Sequence, residues 1–206
     1  MIVPAVERRA SAAENPWVTS AQSSSRAAPV ARSEPVVAPP APQPGVLSPP
    51  PEQRLGWREL SREELLVAVW LTSAHGGAGA TTLAELSVGW RAAGRAWPIS
   101  PEPDRAARVL LCARTSYAGL RSAQAALTDW ASGRVPVRLE GLVLLAAAPG
   151  RLPKQLRPLL ELVRAAAGRV WEIGWQSQWL IGPPAMTRDR GLRELSADFN
   201  IQPKES

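Results

Sequence analysis

The chain has 206 residues, 45% of them hydrophobic and 20% charged, the range of a globular protein. One cysteine, Cys112, and one histidine, His75, exclude an internal disulfide framework, Cys- or His-rich metal sites and any nucleophile–histidine pair not built on His75. The net charge is +6, and of the 24 basic residues only Lys154 and Lys204 are lysines; this balance favours anionic partners (nucleotides, nucleic acid or acidic protein surfaces) without choosing among them, and a GC-rich genome accounts for the arginine equally well.

Residues 1–56 hold about half of the 21 prolines, with Ser and Ala between them, as in the run VVAPPAPQPGVLSPPPEQ. Such a segment buries too little apolar surface to offset its ordering entropy, so a disordered tail is expected over 1–56, close to neutral in charge. No apolar run reaches the ~18 residues of a membrane span. The opening MIVPAVERR has no apolar stretch behind a basic one, so no secretory signal and a cytoplasmic location are expected.

Ordered structure is expected over 57–199, with a flexible end at 200–206. Ser61 and Glu64 have capping-box spacing. Leu65–Leu71 (LLVAVWL) is apolar throughout and predicts a strand buried on both faces. After the glycine-rich SAHGGAGATT, a helix is expected with Leu83, Leu86, Trp90 and Ala93 on one face and Gly94 as its C-cap. Residues 108–113 predict a second buried strand and 116–132 a helix striped by Leu120, Ala123, Leu127 and Trp130. Residues 141–147 predict a third strand, followed by a helix with Leu156, Leu159, Leu160, Val163 and Ala167 facing inward. Residues 170–173 predict a fourth strand and 188–198 a last helix using Leu192 and Leu195. Apolar strands alternating with amphipathic helices predict an open α/β fold with a mainly parallel sheet flanked by helices.

The informative segment is Ala74-His75-Gly76-Gly77-Ala78-Gly79-Ala80-Thr81-Thr82, between a buried strand and a helix. Glycines let a backbone approach an anion closely, and a helix start offers free N–H groups. The segment resembles the deviant phosphate loop of ParA/MinD-type partition and positioning ATPases, with Gly76, Gly77, Gly79, Thr81 and Thr82 in register. The resemblance implies a phosphate-loop fold, ATP or ADP as ligand with or without magnesium, and Thr81 as the magnesium-binding hydroxyl. Where that family has two lysines this chain has His75 and Ala80. The predicted strand ends at 111–114 and 145–148 carry no carboxylate, and the middle of the family's domain is missing. Charge-assisted contacts to phosphate contribute about 1.5–3 kcal/mol each, so a degenerate, non-catalytic member is expected. The layout is also similar to an uncharacterised actinobacterial family of short proteins with a degenerate loop, and the context implies roles in partition, conjugation or mobile elements. A dinucleotide fingerprint starting at Gly77 fails, because Thr82 stands where its last glycine belongs.

His75, Arg114, Arg151 and Lys154 follow or close the predicted strands and are candidates, with Gly76, Gly77, Ala78, Gly79, Ala80, Thr81 and Thr82, for a magnesium-independent anion site. Plainer readings stand beside these: His75 bonded to a backbone carbonyl, Thr81 capping its own helix, Arg114 and Arg151 solvating loop tips, and Cys112 as an inert apolar residue. Nine tryptophans stand against one Tyr and one Phe. If the chain turns helical after Gly174, Trp175 and Trp179 share a face that either docks a protein partner or packs on the sheet. The expected function is a regulatory or adaptor protein that binds a nucleotide or other phosphate ligand. An ATPase completed by a partner and a DNA-associated adaptor are the alternatives.

Overall fold

A computed structural model describes residues 41–201. Seven strands and four α-helices follow in the order β1 (Gly56–Glu59), β2 (Val69–Ser73), α1 (Ala80–Ala84), β3 (Trp90–Gly94), β4 (Ala96–Ile99), β5 (Arg108–Arg114), α2 (Tyr117–Ala131), β6 (Arg138–Leu145), α3 (Arg157–Ala167), β7 (Val170–Ile173) and α4 (Arg190–Phe199). Five strands form one parallel sheet in the order β3-β2-β5-β6-β7. The expected α/β architecture with a parallel sheet flanked by helices is therefore present.

The apolar strands are buried on both faces, as their composition requires. On one face Trp70, Val109, Leu111, Ala113, Leu142 and Leu144 meet Leu120, Ala123 and Leu127 of α2 and Leu160, Val163 and Ala167 of α3. On the other, Val69, Leu71, Leu110, Cys112, Val143 and Leu145 meet Ala80 and Leu83 of α1 and Leu192 and Leu195 of α4. Counted along the chain, the main-sheet strands lie 2-1-3-4-5, a doubly wound order that reverses direction between β2 and β5. In such sheets ligands bind outside the carboxyl ends of the strands at that reversal.

The structure corrects several expected elements. The helix after the glycine loop ends at Ala84, not Gly94. The chain turns through Ser87 and Gly89, poor helix formers, and Trp90–Gly94 becomes the edge strand β3. Gly94, at φ +70°, closes that strand rather than a helix. The first sheet strand is Val69–Ser73, because Glu63–Leu66 forms a 3-10 turn closed by the expected reciprocal pair: the Ser61 N–H donates to Glu64 (3.0 Å) and the Glu64 N–H to the Ser61 hydroxyl (3.3 Å). After Gly174 there is one 3-10 turn, Ser177–Leu180, and not a helix presenting Trp175 and Trp179 together.

Two features have no counterpart in the sequence reading. β1 and β4 pair in parallel as a two-stranded ribbon, with Trp57 opposite Trp97. The ribbon covers the α2/α3 face where a doubly wound sheet would carry a helix between its second and third strands; Leu55, Leu60 and Trp97 join that core. The chain also packs earlier than Trp57. Gln43 N–H donates to the Ala131 carbonyl (2.9 Å), Pro49 is buried, and the Ser48 hydroxyl donates to Asp129 Oδ1 at 2.6 Å. The rest of the proline-rich stretch, residues 1–40, and residues 202–206 lie outside the described residues. Within the expected flexible end, Asn200 caps α4 in the left-handed conformation and Ile201 is buried.

Candidate functional site

The glycine loop occupies the expected place, leaving β2 and entering α1 at the carboxyl edge of the sheet. Gly79 caps α1 with φ +93°, and a Cβ there would lie 2.9 Å from a Leu145 methyl group. The left-handed backbone favours glycine at this position, and a Cβ would in addition have to displace the Leu145 methyl group. No side chain caps α1. Among the described residues the N–H groups of Gly76, Gly77, Gly79, Ala80, Thr81 and Thr82 meet no backbone or side-chain acceptor.

The carbonyl side of the loop is occupied. His75 accepts the Arg114 backbone N–H at Nε2 (3.0 Å), and its Nδ1 lies 2.8 Å from the Gly76 carbonyl. A backbone N–H only donates and a carbonyl only accepts, so in this arrangement Nε2 is the acceptor and Nδ1 the donor. The Arg114 guanidinium donates from Nε to the Gly77 carbonyl (3.1 Å) and from NH1 to the Ala146 carbonyl (2.8 Å). Both residues, read as candidate anion contacts, thus serve the backbone across the reversal point between β2 and β5. His75 matches its plainer reading, while Arg114 is a clamp instead of a free cation. Gly119 permits the close approach of α2: a Cβ there would lie 2.3 Å from the Arg114 carbonyl oxygen and 2.9 Å from His75 Nε2.

The remaining candidates are placed differently. Ala78 and Ala80 are buried, so the second lysine position of the resembled motif has become part of the core. Thr81 is exposed and caps nothing. Thr82, Arg114, Leu145, Gly174, Trp175 and Trp179 line a cleft of ≈ 70 Å³. This is well below the roughly 300–1,000 Å³ of ordinary ligand pockets, and of the glycine loop only Thr82 lines it. Arg151 and Lys154 lie in the connection from β6 to α3, exposed and in no ion pair among the described residues; no hydrogen bond joins them to the loop. Asp189, which the sequence reading does not single out, accepts the Gly174 N–H (3.0 Å) at Oδ2 and caps α4 through Oδ1.

The protein groups available to a magnesium ion at the loop are few. Thr81 contributes one hydroxyl, and among the described residues no group of three or more His, Cys, Asp or Glu could hold a metal ion. Cys112 is fully buried, and desolvation pushes its thiol well above the ordinary range, so no thiolate is available as a nucleophile.

A larger cavity, ≈ 580 Å³, opens at the opposite edge between Leu60, Leu65, Trp70, Arg105, Arg108 and Arg138. Its cations are engaged: Arg108 and Arg138 share Glu140 (2.7 and 3.0 Å), and Arg105 donates to the Leu65 carbonyl (2.8 Å). Among the described residues no helix is long and apolar enough to cross a membrane.

Comparison with protein-family models, curated proteins and solved structures finds no match to this chain.

Proposed function

We propose that the chain is a non-catalytic phosphate-binding protein in which the loop Ala74–Thr82 receives a phosphate group through its backbone N–H groups, and that it works as a regulatory or adaptor component for a protein partner. The observation that carries this reading is the division of the loop's polar groups. His75 and Arg114 engage the carbonyls of Gly76 and Gly77, while the N–H groups from Gly76 to Thr82, apart from that of Ala78, have no acceptor among the described residues. Backbone N–H groups without acceptors, at a strand-to-helix turn at the reversal point of a doubly wound sheet, suit an anion.

The same residues argue against phosphoryl transfer, which depends on positioned positive charge. Ala80 is buried where the resembled loop has its second lysine, and Arg114 spends its guanidinium on two carbonyls. The ligand on this reading is a nucleotide held by its phosphates or a simpler phosphate ligand. The loop's likeness to partition and positioning ATPases extends this to a degenerate relative acting in partition, conjugation or mobile-element functions. Calorimetric titration of the intact chain with ATP, ADP and pyrophosphate, each with and without magnesium, tests the reading. Saturable binding with no phosphate release supports it. Absence of heat with all three, or magnesium-dependent turnover, overturns it.

A further inference from the structure

Charge is distributed unevenly between the two edges of the sheet. At the amino edge most arginines stand with carboxylates, Arg108 and Arg138 with Glu140, Arg54 and Arg134 with Asp129, Arg58 with Glu64, and Arg169 with Asp198, while Arg62 and Arg91 are exposed and in no ion pair among the described residues. At the carboxyl edge Arg151, Lys154, Arg157 and Arg188 are exposed and in no ion pair among the described residues. In the connections leaving this edge and the first helical turns that follow them, Asp189 is the one carboxylate among the described residues, and both its oxygens are engaged by N–H groups.

This placement opposes local stability. Helices α2, α3 and α4 all begin at this edge, and N-terminal turns favour acidic residues over basic ones. None of the three has an acidic residue in its first turn, while α3 opens on Arg157 and α4 on Arg190. Positive charge has thus gathered where the helix dipoles already disfavour it, which an anionic partner would reverse.

Exposed flat and apolar groups lie at the same edge. Tyr117, at the start of α2, is 65% exposed, and Trp175 and Trp179 are half-buried walls of the small cleft. Leu180 and Ile181 project beside them, 69% and 90% exposed. Phosphates of a duplex would meet the cations but leave these surfaces facing water. A single strand satisfies both, with phosphates on the arginines and unstacked bases on the aromatic faces.

We propose that the carboxyl edge of the sheet is a docking surface for single-stranded nucleic acid, tracked by Arg151, Lys154, Arg157 and Arg188 and stacked by Tyr117 and Trp175. This goes beyond the glycine-loop reading: it names a polymeric ligand on other residues and needs no phosphate in the loop, so failure of the ATP and pyrophosphate titrations leaves it standing. The test is fluorescence anisotropy of a labelled twelve-nucleotide oligo-dT against the full chain over a range of salt, beside a duplex of equal length and vesicles of anionic phospholipid. Salt-sensitive binding that prefers the single strand is expected. The triple variant Arg151→Ala/Lys154→Ala/Arg157→Ala should bind about tenfold or more weakly and lower the log–log salt slope by about 2, at roughly 0.7 for each phosphate that is no longer neutralised. Tyr117→Ala, a surface change, should weaken binding severalfold without changing that slope. The control pair Arg62→Ala/Arg91→Ala should bind as the parent does. The proposal is overturned by no strand binding, by equal or tighter binding to duplex or vesicles, or by a triple variant indistinguishable from the control.

Discussion

His75 and Arg114, 39 positions apart, are joined by a 3.0 Å hydrogen bond from the Arg114 backbone N–H to His75 Nε2, which spans the point where the sheet reverses its winding. The bond makes His75 an acceptor. Replacing it with the lysine of the resembled motif would put a donor opposite a donor. His75→Lys is therefore expected to destabilise the fold by about 1–2 kcal/mol, the cost of leaving a partly buried N–H without a partner. Urea unfolding measures this, and a variant as stable as the parent would show that the bond contributes nothing.

Arg114 holds two carbonyls on different strands' loops. Arg114→Lys keeps the charge but lacks the planar fork that reaches both oxygens. Faster amide exchange is expected at Ala78, Ala146 and Ala147, whose N–H groups donate to the His75 carbonyl, the Ile173 carbonyl and the Thr115 hydroxyl, with little change in the strands themselves. If charge alone mattered, the lysine variant would exchange like the parent.

Gly79 and Leu145 are coupled through space. Gly79→Ala meets both a left-handed backbone and the Leu145 methyl group, and should cost about 1–3 kcal/mol. Leu145→Ala is destabilising alone because it empties a buried position, yet it removes the clash. The double variant is expected to be more stable than the sum of the two single effects predicts. Strict additivity would show that the steric component is absent.

Ser48 supports a carboxylate that water does not reach. Asp129 is fully buried and its Oδ2 has no partner among the described residues, so Oδ1 depends on the Ser48 hydroxyl, on Arg134 at 3.4 Å and on Arg54 at 4.0 Å. Ser48→Ala should destabilise by about 1–3 kcal/mol. An unchanged denaturation midpoint would mean that the pair is energetically idle.

Cys112 offers a probe of opening. Its thiol is fully buried in β5 and its ionisation is suppressed by desolvation, so alkylation should be negligible in the folded chain and rapid in denaturant. Stoichiometric labelling under native conditions would contradict the burial of that strand.

The fold is legible in the sequence where one periodicity dominates. The continuous apolar run of β5 and the stripes of α2, α3 and α4 point to their elements within a few residues. The segment after the glycine loop is not, because Leu83, Leu86, Trp90 and Ala93 fit a helical face while Ser87 and Gly89 interrupt it. Tertiary pairing of Trp90–Gly94 with β2 decides the outcome. The ribbon of β1 and β4 joins segments some forty residues apart, and Pro98 within β4 is tolerated in a two-stranded ribbon. At the site, composition marks His75 and Arg114 as cations near a phosphate loop. Apart from the Gly76 carbonyl beside His75, their hydrogen-bond partners are backbone groups contributed by other segments, which no local pattern encodes. The edge bearing Arg151, Lys154, Arg157 and Arg188 becomes visible only when strand order brings the separate connections together.

The seal that Ser48, Pro49 and Leu55 place over Asp129 and the α2/α3 face has a practical consequence. Composition suggests that the chain can be shortened to begin at Trp57, yet that cut would strip the lid from a buried charge and uncover a wall of the core. Such a fragment should be sticky and easily digested, whereas one starting at Ala41 keeps the lid and should resist protease better than the fragment cut at Trp57.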